Sequence, residues 1–275
     1  AKYGTMQRAV LVAPALRLAR RGFVLEPGDI AMLSTATDDF RKDPASAAIF
    51  LREGAPWSAG QRLVQKDLAR TLQRIARHGS RGFYQGPVGA ALVASSRVGG
   101  GLITQADLDR YATRELAPVE CGYRGYRVVS APPPSAGGVI LCEILNILEG
   151  YPLKELGYGA AQGVHYQIEA MRHAYVDRNS YLGDPDFVHN PLERIRAAID
   201  PARAGVSQDL RPGVAPHEGS NTTHYSIIDR EGNAASVTYT LNDWFGARVA
   251  AAGTGVLLNN EMDDFTIKLG AANMY

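Results

Sequence analysis

The chain reads as an α/β protein, helix-rich over its first two-thirds and turning to antiparallel sheet near residue 222. Three observations predict this. Apolar residues recur at helical spacing in three long segments before residue 182. A Pro/Gly-rich run, Arg211-Pro-Gly-Val-Ala-Pro-His-Glu-Gly-Ser220, then reads as an exposed loop. Beyond it, two segments alternate apolar and polar residues around a turn, the pattern of a hairpin.

Each element has its own residues. Met6 to Arg21 places Val10, Ala13, Leu16 and Leu18 at helical spacing, with Gly22 as a stop. Pro14 is expected to end, start or kink something there. Gln61 to His78 puts Leu63, Val64, Leu68, Leu72, Ile75 and Ala76 on one face, closed by Gly79. Thr104 followed by Asp107 looks like a capped helix start. Tyr126 to Ser130 fits a strand. Gly137-Gly138 after Pro132-Pro-Pro lacks a phosphate-binding lysine and reads as a turn entering a helix. Val139 to Leu148, apolar nearly all round, suggests that this helix is deeply buried. Ala160 to Tyr181 repeats the helical pattern with Val164, Ile168, Met171 and Tyr175. His224 to Asp229, a turn at Arg230-Glu-Gly-Asn233 and Ala235 to Leu241 form the hairpin, and Gly255 to Leu258 a further strand.

At 275 residues the chain can bury a substantial core. Hydrophobic content of 45% and charged content of 21% are ordinary for a globular protein. A formal net charge of +1 gives no reason to expect nucleic acid or a membrane surface as partner. Arg17, Arg20 and Arg21 are the nearest thing to a basic cluster, and a solvated helix end explains them. No apolar run approaches the ~20 residues of a transmembrane helix. Cys121 and Cys142 are compatible with a free buried pair or one disulfide, so the redox compartment stays open. Asp177, Asp184 and Asp186 fit no calcium loop, and the six histidines lack ligand spacing.

The loop ending at Ser220 delivers Thr222 to the first position of a strand. Self-cleaving amidohydrolases need that arrangement: a new N-terminal Thr supplies the hydroxyl nucleophile and its own freed amine the base. On pattern alone the plainer reading is stronger, because a β-branched residue suits a strand start.

Six short segments shift that balance. Thr222-Thr-His-Tyr-Ser226, Thr238-Tyr-Thr-Leu-Asn242, Leu257-Leu-Asn-Asn-Glu-Met-Asp-Asp-Phe265, Pro132-Pro-Pro-Ser-Ala-Gly-Gly138, Tyr181-Leu-Gly-Asp-Pro-Asp-Phe187 and Gly100-Gly-Leu-Ile-Thr104 occur in one order. Together they resemble the signature segments of the gamma-glutamyltranspeptidases, members of the N-terminal nucleophile hydrolase superfamily. The resemblance implies a four-layer αββα sandwich. It divides the chain into a large-subunit-like helical region, 1–221, and the start of a small-subunit-like region, 222–275, together one domain. The chain then corresponds to an internal or trimmed segment. The family's upstream Arg for the substrate carboxylate, and its downstream Ser-Ser and Gly-Gly pairs for carboxylate and oxyanion, fall outside it.

The resemblance also assigns roles. Cleavage is expected between Asn221 and Thr222, leaving Thr222 as nucleophile. An α-amine with an ordinary pKa of ~8 suits the base. Thr240, eighteen positions on, is expected across the hairpin from Thr222, where its hydroxyl would support the nucleophile; a purely structural Thr pair is the alternative. Asn242, Glu261 and Asp264 match positions that hold the α-amino group of a γ-glutamyl moiety. An ammonium has three donors and no acceptor, so two carboxylates and one amide oxygen satisfy it. Asp263 beside Asp264 would point away if the segment is extended; a solvated acidic turn is the alternative. Tyr275 matches a lid tyrosine. Trp244 shapes the acceptor side or simply packs. His224 shares the strand face of Thr222 but is read as structural, since the superfamily uses the amine.

The implied activity is transfer of the γ-glutamyl group of glutathione and related amides, through an ester on Thr222, to water or an amino acid. No cofactor, metal, nucleic acid or membrane partner is implied. The parent's two subunits come from one precursor, and the expected location is periplasmic or secreted. Two rivals are a related acylase that removes a glutaryl side chain from a β-lactam, and a non-catalytic, unprocessed fragment. For residues 1–275 alone the expectation is an intact Asn221–Thr222 bond, no turnover, and self-association through an exposed sheet edge.

Overall fold

A computed structural model describes residues 3–184, 186 and 222–264. The chain divides into two compact units, one of residues 1–113 with 219–261 and the other of 114–218 with 262–275.

In the first unit, α1 (Arg8–Arg21) packs along α5 (Lys66–His78). Pro14 lies inside α1, and the helix runs through it to Gly22. The stripe of α1 turned inward is Val12, Leu16 and Ala19, whereas Val10, Ala13 and Leu18 are exposed. The second long helix starts later than its periodicity predicts. Phe23–Val24 (β1) pairs with Arg62–Leu63 (β4), and the pairing Phe23↔Leu63 buries Leu63. Tertiary pairing there overrides a helical pattern.

The helices α2 (Pro27–Ser34), α3 (Thr37–Phe40) and α4 (Pro44–Phe50) follow β1, and β2 (Leu51–Arg52) pairs with β3 (Ala55–Pro56). Asp43 caps α4 through the Ser46 N–H at 2.8 Å. Ala36, Phe40, Phe50 and Leu51 form a core cluster into which Phe245 and Leu257 pack from far along the chain. Phe40 and Phe245 meet edge to face with centroids 5.1 Å apart. After α5 come α6 (Arg81–Tyr84), α7 (Gly86–Val98) and α8 (Gln105–Arg110). The last opens with the expected reciprocal cap between Thr104 and Asp107.

In the second unit, β5 (Val119–Tyr123) and β6 (Tyr126–Ser130) form a hairpin against α9 (Ala136–Leu148). A disulfide joins Cys121 to Cys142 and so ties β5 to α9. The turn into α9 is tight: a Cβ on Gly138 would stand 2.2 Å from the Ala131 carbonyl oxygen. The helix buries Val139, Ile140, Cys142, Ile147 and Leu148, as expected, though Leu141 is exposed. A short α10 (Leu153–Leu156) leads to α11 (Ala161–Tyr181), which packs on α9. The predicted inward stripe of α11 is corrected by the structure. Val164, Ile168, Met171 and Tyr175 are exposed, and the buried face is Tyr166, Ala170 and Ala174. The two alanines let the helices approach closely, so the smaller side chains take the interface.

The remaining strands belong to the first unit. β7 (Thr223–Ile228) pairs antiparallel with β8 (Ala234–Tyr239) in the expected hairpin. β9 (Ala250–Ala251) pairs with β10 (Val256–Leu257), within the predicted Gly255–Leu258 strand. Among the described residues every sheet is a two-stranded antiparallel pair. No described helix is long and apolar enough to cross a membrane.

Candidate active site

The hairpin sets the site. Its register pairs Thr223 with Tyr239 and His224 with Thr238. One further step of the same register sets Thr222, the residue just before β7, opposite Thr240, the residue just after β8. The even-numbered positions 222, 224 and 226 share one face with 236, 238 and 240, and that face carries hydroxyls and one imidazole. Thr222 is exposed. It and Thr240 share no hydrogen bond in this structure. Instead the Thr240 hydroxyl oxygen accepts the Asn242 N–H at 2.8 Å.

His224 is fully engaged on that face. Its Nδ1 lies 2.7 Å from the Thr238 hydroxyl, and its Nε2 lies 3.1 Å from Ser236 Oγ and 3.3 Å from Ser226 Oγ. An imidazole with both nitrogens occupied by strand hydroxyls is a cross-strand tie, in keeping with its structural reading.

Asn242 stands in the left-handed region, at φ 73°, where Asn is among the few side chains tolerated. Its Nδ2 donates to the Asn260 carbonyl at 3.0 Å, and the next N–H, of Asp243, donates to Asn260 Oδ1 at 3.0 Å. The Asn260 N–H returns to the Leu241 carbonyl at 3.1 Å. This reciprocal clamp ties one N–H of the Asn242 NH2 group and so fixes the amide, whose Oδ1 is its acceptor. It also brings the main chain before Glu261 against the end of β8. Sequence reasoning missed Asn260; two adjacent Asn residues gave no hint that the second would hold the loop.

Glu261 is half-buried and opens a 3₁₀ turn, Glu261–Asp264, with its N–H donating to Asn259 Oδ1 at 3.0 Å. That turn replaces the extended segment assumed for Asp263 and Asp264. It sets positions 261 and 264 one turn apart. The Asp264 side chain, Asn221 and Tyr275 lie outside the described residues, as does the Pro/Gly-rich run before Thr222.

The loop after Asn242 is tightly folded. Phe245, Gly246 and Arg248 also have positive φ, at 63°, 56° and 58°. A Cβ on Gly246 would meet the Leu258 carbonyl oxygen at 2.3 Å, so this close approach requires glycine. Trp244 is exposed, with its N–H donating to Asp243 Oδ1 at 2.8 Å. Among the described residues no group of three or more His, Cys, Asp or Glu is placed to hold a metal ion.

The hairpin thus sets Thr222, just before its first strand, opposite Thr240 and near the clamped Asn242, the arrangement expected from the resemblance to amide-processing proteins with a threonine nucleophile. The chain belongs to the gamma-glutamyltranspeptidase family, whose profile matches residues 1–275. It is 69% identical over 284 aligned positions to a glutathione hydrolase proenzyme of Pseudomonas sp. strain A14, covering all of this chain and 49% of that protein. It is 39% identical to an acylase ACY 1 proenzyme of Pseudomonas sp. strain V22, covering 99% of this chain and 50% of that protein. Among solved structures, the gamma-glutamyltranspeptidase of Helicobacter pylori superposes with a TM-score of 0.72 at 38% identity, over 80% of this chain and 66% of that one. The chain thus spans about half the length of the curated relatives it matches.

Proposed function

We propose that this chain carries the nucleophile and part of the ammonium pocket of an enzyme that opens the γ-glutamyl amide bond of glutathione-like compounds. The carrying observation is the hairpin register, which sets Thr222 against Thr240 and delivers Asn242 two residues later in a clamped loop.

The chemistry starts with processing. The Thr222 hydroxyl attacks the Asn221 carbonyl, the acyl group moves from nitrogen to oxygen, and water hydrolyses the ester. This frees the Thr222 amine and begins a small subunit at residue 222. The amine then accepts the hydroxyl proton as Oγ attacks the γ-carbonyl carbon. The C–N bond breaks, the leaving amine takes up the proton, and a γ-glutamyl ester remains on Thr222. Water or an amino acid amine resolves that ester. Thr240 faces the reacting oxygen, and because its own oxygen already accepts from Asn242, its O–H is the group left to donate. Asn242 and Glu261, with Asp264, take the substrate ammonium. A periplasmic or secreted location is part of this proposal; the Cys121–Cys142 disulfide supports it, because such bonds persist in oxidising compartments.

The acylase reading shares the fold and the nucleophile. What favours a γ-glutamyl substrate is the acceptor-only character of the Asn242 Oδ1 and Glu261, since a glutaryl group has no ammonium to place there. The test is intact mass and turnover of the full-length gene product. Two polypeptides with a new amino terminus at Thr222, and release of amine from a γ-glutamyl anilide that is lost in Thr222→Ala, support the proposal. Normal processing in Thr222→Ala, or faster turnover of a glutaryl than a γ-glutamyl amide, overturns it. For the 275-residue polypeptide alone the expected mass is a single species near 29.6 kDa.

A further inference from the structure

We propose that Arg248 is a positioning residue that sets the specificity of this site for substrates with a free α-amino group. The inference rests on the γ-glutamyl reading above and extends it to a residue outside the proposed pocket.

Arg248 sits six residues past Asn242 and joins three parts of the first unit. One guanidinium nitrogen pairs with Asp243 Oδ2, and another stands 3.1 Å from Asp39 Oδ2 on α3. Its carbonyl oxygen accepts the hydroxyl of Ser46, a fully buried residue of α4, at 2.9 Å. Its N–H closes onto the Phe245 carbonyl at 3.0 Å. The left-handed backbone at Arg248 is disfavoured for a long side chain and persists only where its surroundings impose it.

The chain of contacts leads to the pocket. Asp243, fixed by Arg248, presents its N–H to Asn260 Oδ1, and Asn260 in turn receives the Asn242 amide. The orientation of Asn242 Oδ1 therefore depends on Arg248 through Asp243 and Asn260. Charge adds a second effect. Asp243 is the residue adjacent to Asn242, and the guanidinium offsets its negative charge beside the pocket. Lys42 also pairs with Asp39, at 2.7 Å, and lowers its pKa most, by hydrogen bonding. Asp39 therefore stays anionic opposite Arg248.

A loop that served only to close the fold would need the Phe245 anchor and Gly246, both already present. It would not need a planar cation bridging two carboxylates across separate elements.

The test compares γ-glutamyl and glutaryl anilides with the full-length gene product. Arg248→Ala is expected to raise KM for the γ-glutamyl substrate roughly tenfold or more, leave kcat within about threefold, and narrow the preference over the glutaryl substrate. Processing at Thr222 stays unchanged. Arg248→Lys restores part of the preference, and Asp39→Asn moves it in the same direction by less, which covers the case in which Arg248→Ala does not fold. An unchanged γ-glutamyl/glutaryl ratio in Arg248→Ala and Asp39→Asn overturns the proposal, as does a parallel fall of kcat, processing and Tm. Wild-type protein that turns over neither anilide overturns the γ-glutamyl reading itself, and this inference with it.

Discussion

Asn242 combines two demands that few residues meet together. Its backbone is left-handed, and its side chain supplies an acceptor while its NH2 group is tied to Asn260. Substitution separates them. Asn242→Gly keeps the backbone permissive and deletes the amide; Asn242→Ala deletes the amide and adds strain of about 1–2 kcal/mol. Both are expected to raise KM for a γ-glutamyl anilide by roughly 10- to 100-fold, the worth of one hydrogen bond to a charged group. Both lose the bond to the Asn260 carbonyl and should lower Tm, the alanine variant by more because of the added backbone strain. Equal melting temperatures for the two would show that the left-handed turn is not what Asn is there to hold.

Elements show where pattern and packing part company. In α9, burial pushes the Glu143 carboxyl up to about 8, helped by the charge of Asp177 on α11 and by the hydrogen bond that the protonated Glu143 donates to it. One Glu143 oxygen is buried without a partner. A carboxyl whose folded pKa lies above its ordinary value near 4.5 holds its proton more tightly when folded. Its contribution is complete below that ordinary value and is lost as pH rises to about 8. Tm should therefore fall between about pH 5 and pH 8.5, and Glu143→Gln should flatten that fall and be the more stable protein at the upper end. An unchanged slope in the variant would remove Glu143 as the cause. None of this was legible in the sequence, where Glu143 is a lone charge in an apolar run. The same holds for α11: both of its faces carry apolar residues, and periodicity selected the larger ones. The α9 interface took Ala170 and Ala174, because close helix approach favours small side chains. By contrast the β7–β8 hairpin, the Thr104 cap and the Thr222/Thr240 register were readable, since each depends on neighbours within about twenty residues. The Arg248–Asp39 tie, spanning some two hundred positions, had no local signal.

At the scale of the whole molecule, the β7–β8 hairpin stands out among the described residues for how little covers it. Every residue of β7 is exposed, including Ile227 at 59% and Ile228 at 73%, and Tyr225 and Tyr239 stand beside each other on one face. Among the described residues β7 and β8 pair only with each other, so each presents an unpaired edge. A two-stranded ribbon with bare edges and an apolar face is marginal in water and a template for further strands. Over residues 1–275 alone, that exposure predicts reversible self-association. Sedimentation velocity should show the mean coefficient rising with concentration. Ile227→Lys places a charge on an exposed strand position, removes apolar contact area and costs no core packing. It should return the protein to a single slow species without lowering Tm. If wild type and variant sediment alike at every concentration, the hairpin is not the surface through which copies meet. If the variant unfolds, Ile227 is held by something its present exposure does not reveal, and the bare-ribbon account fails on that point too.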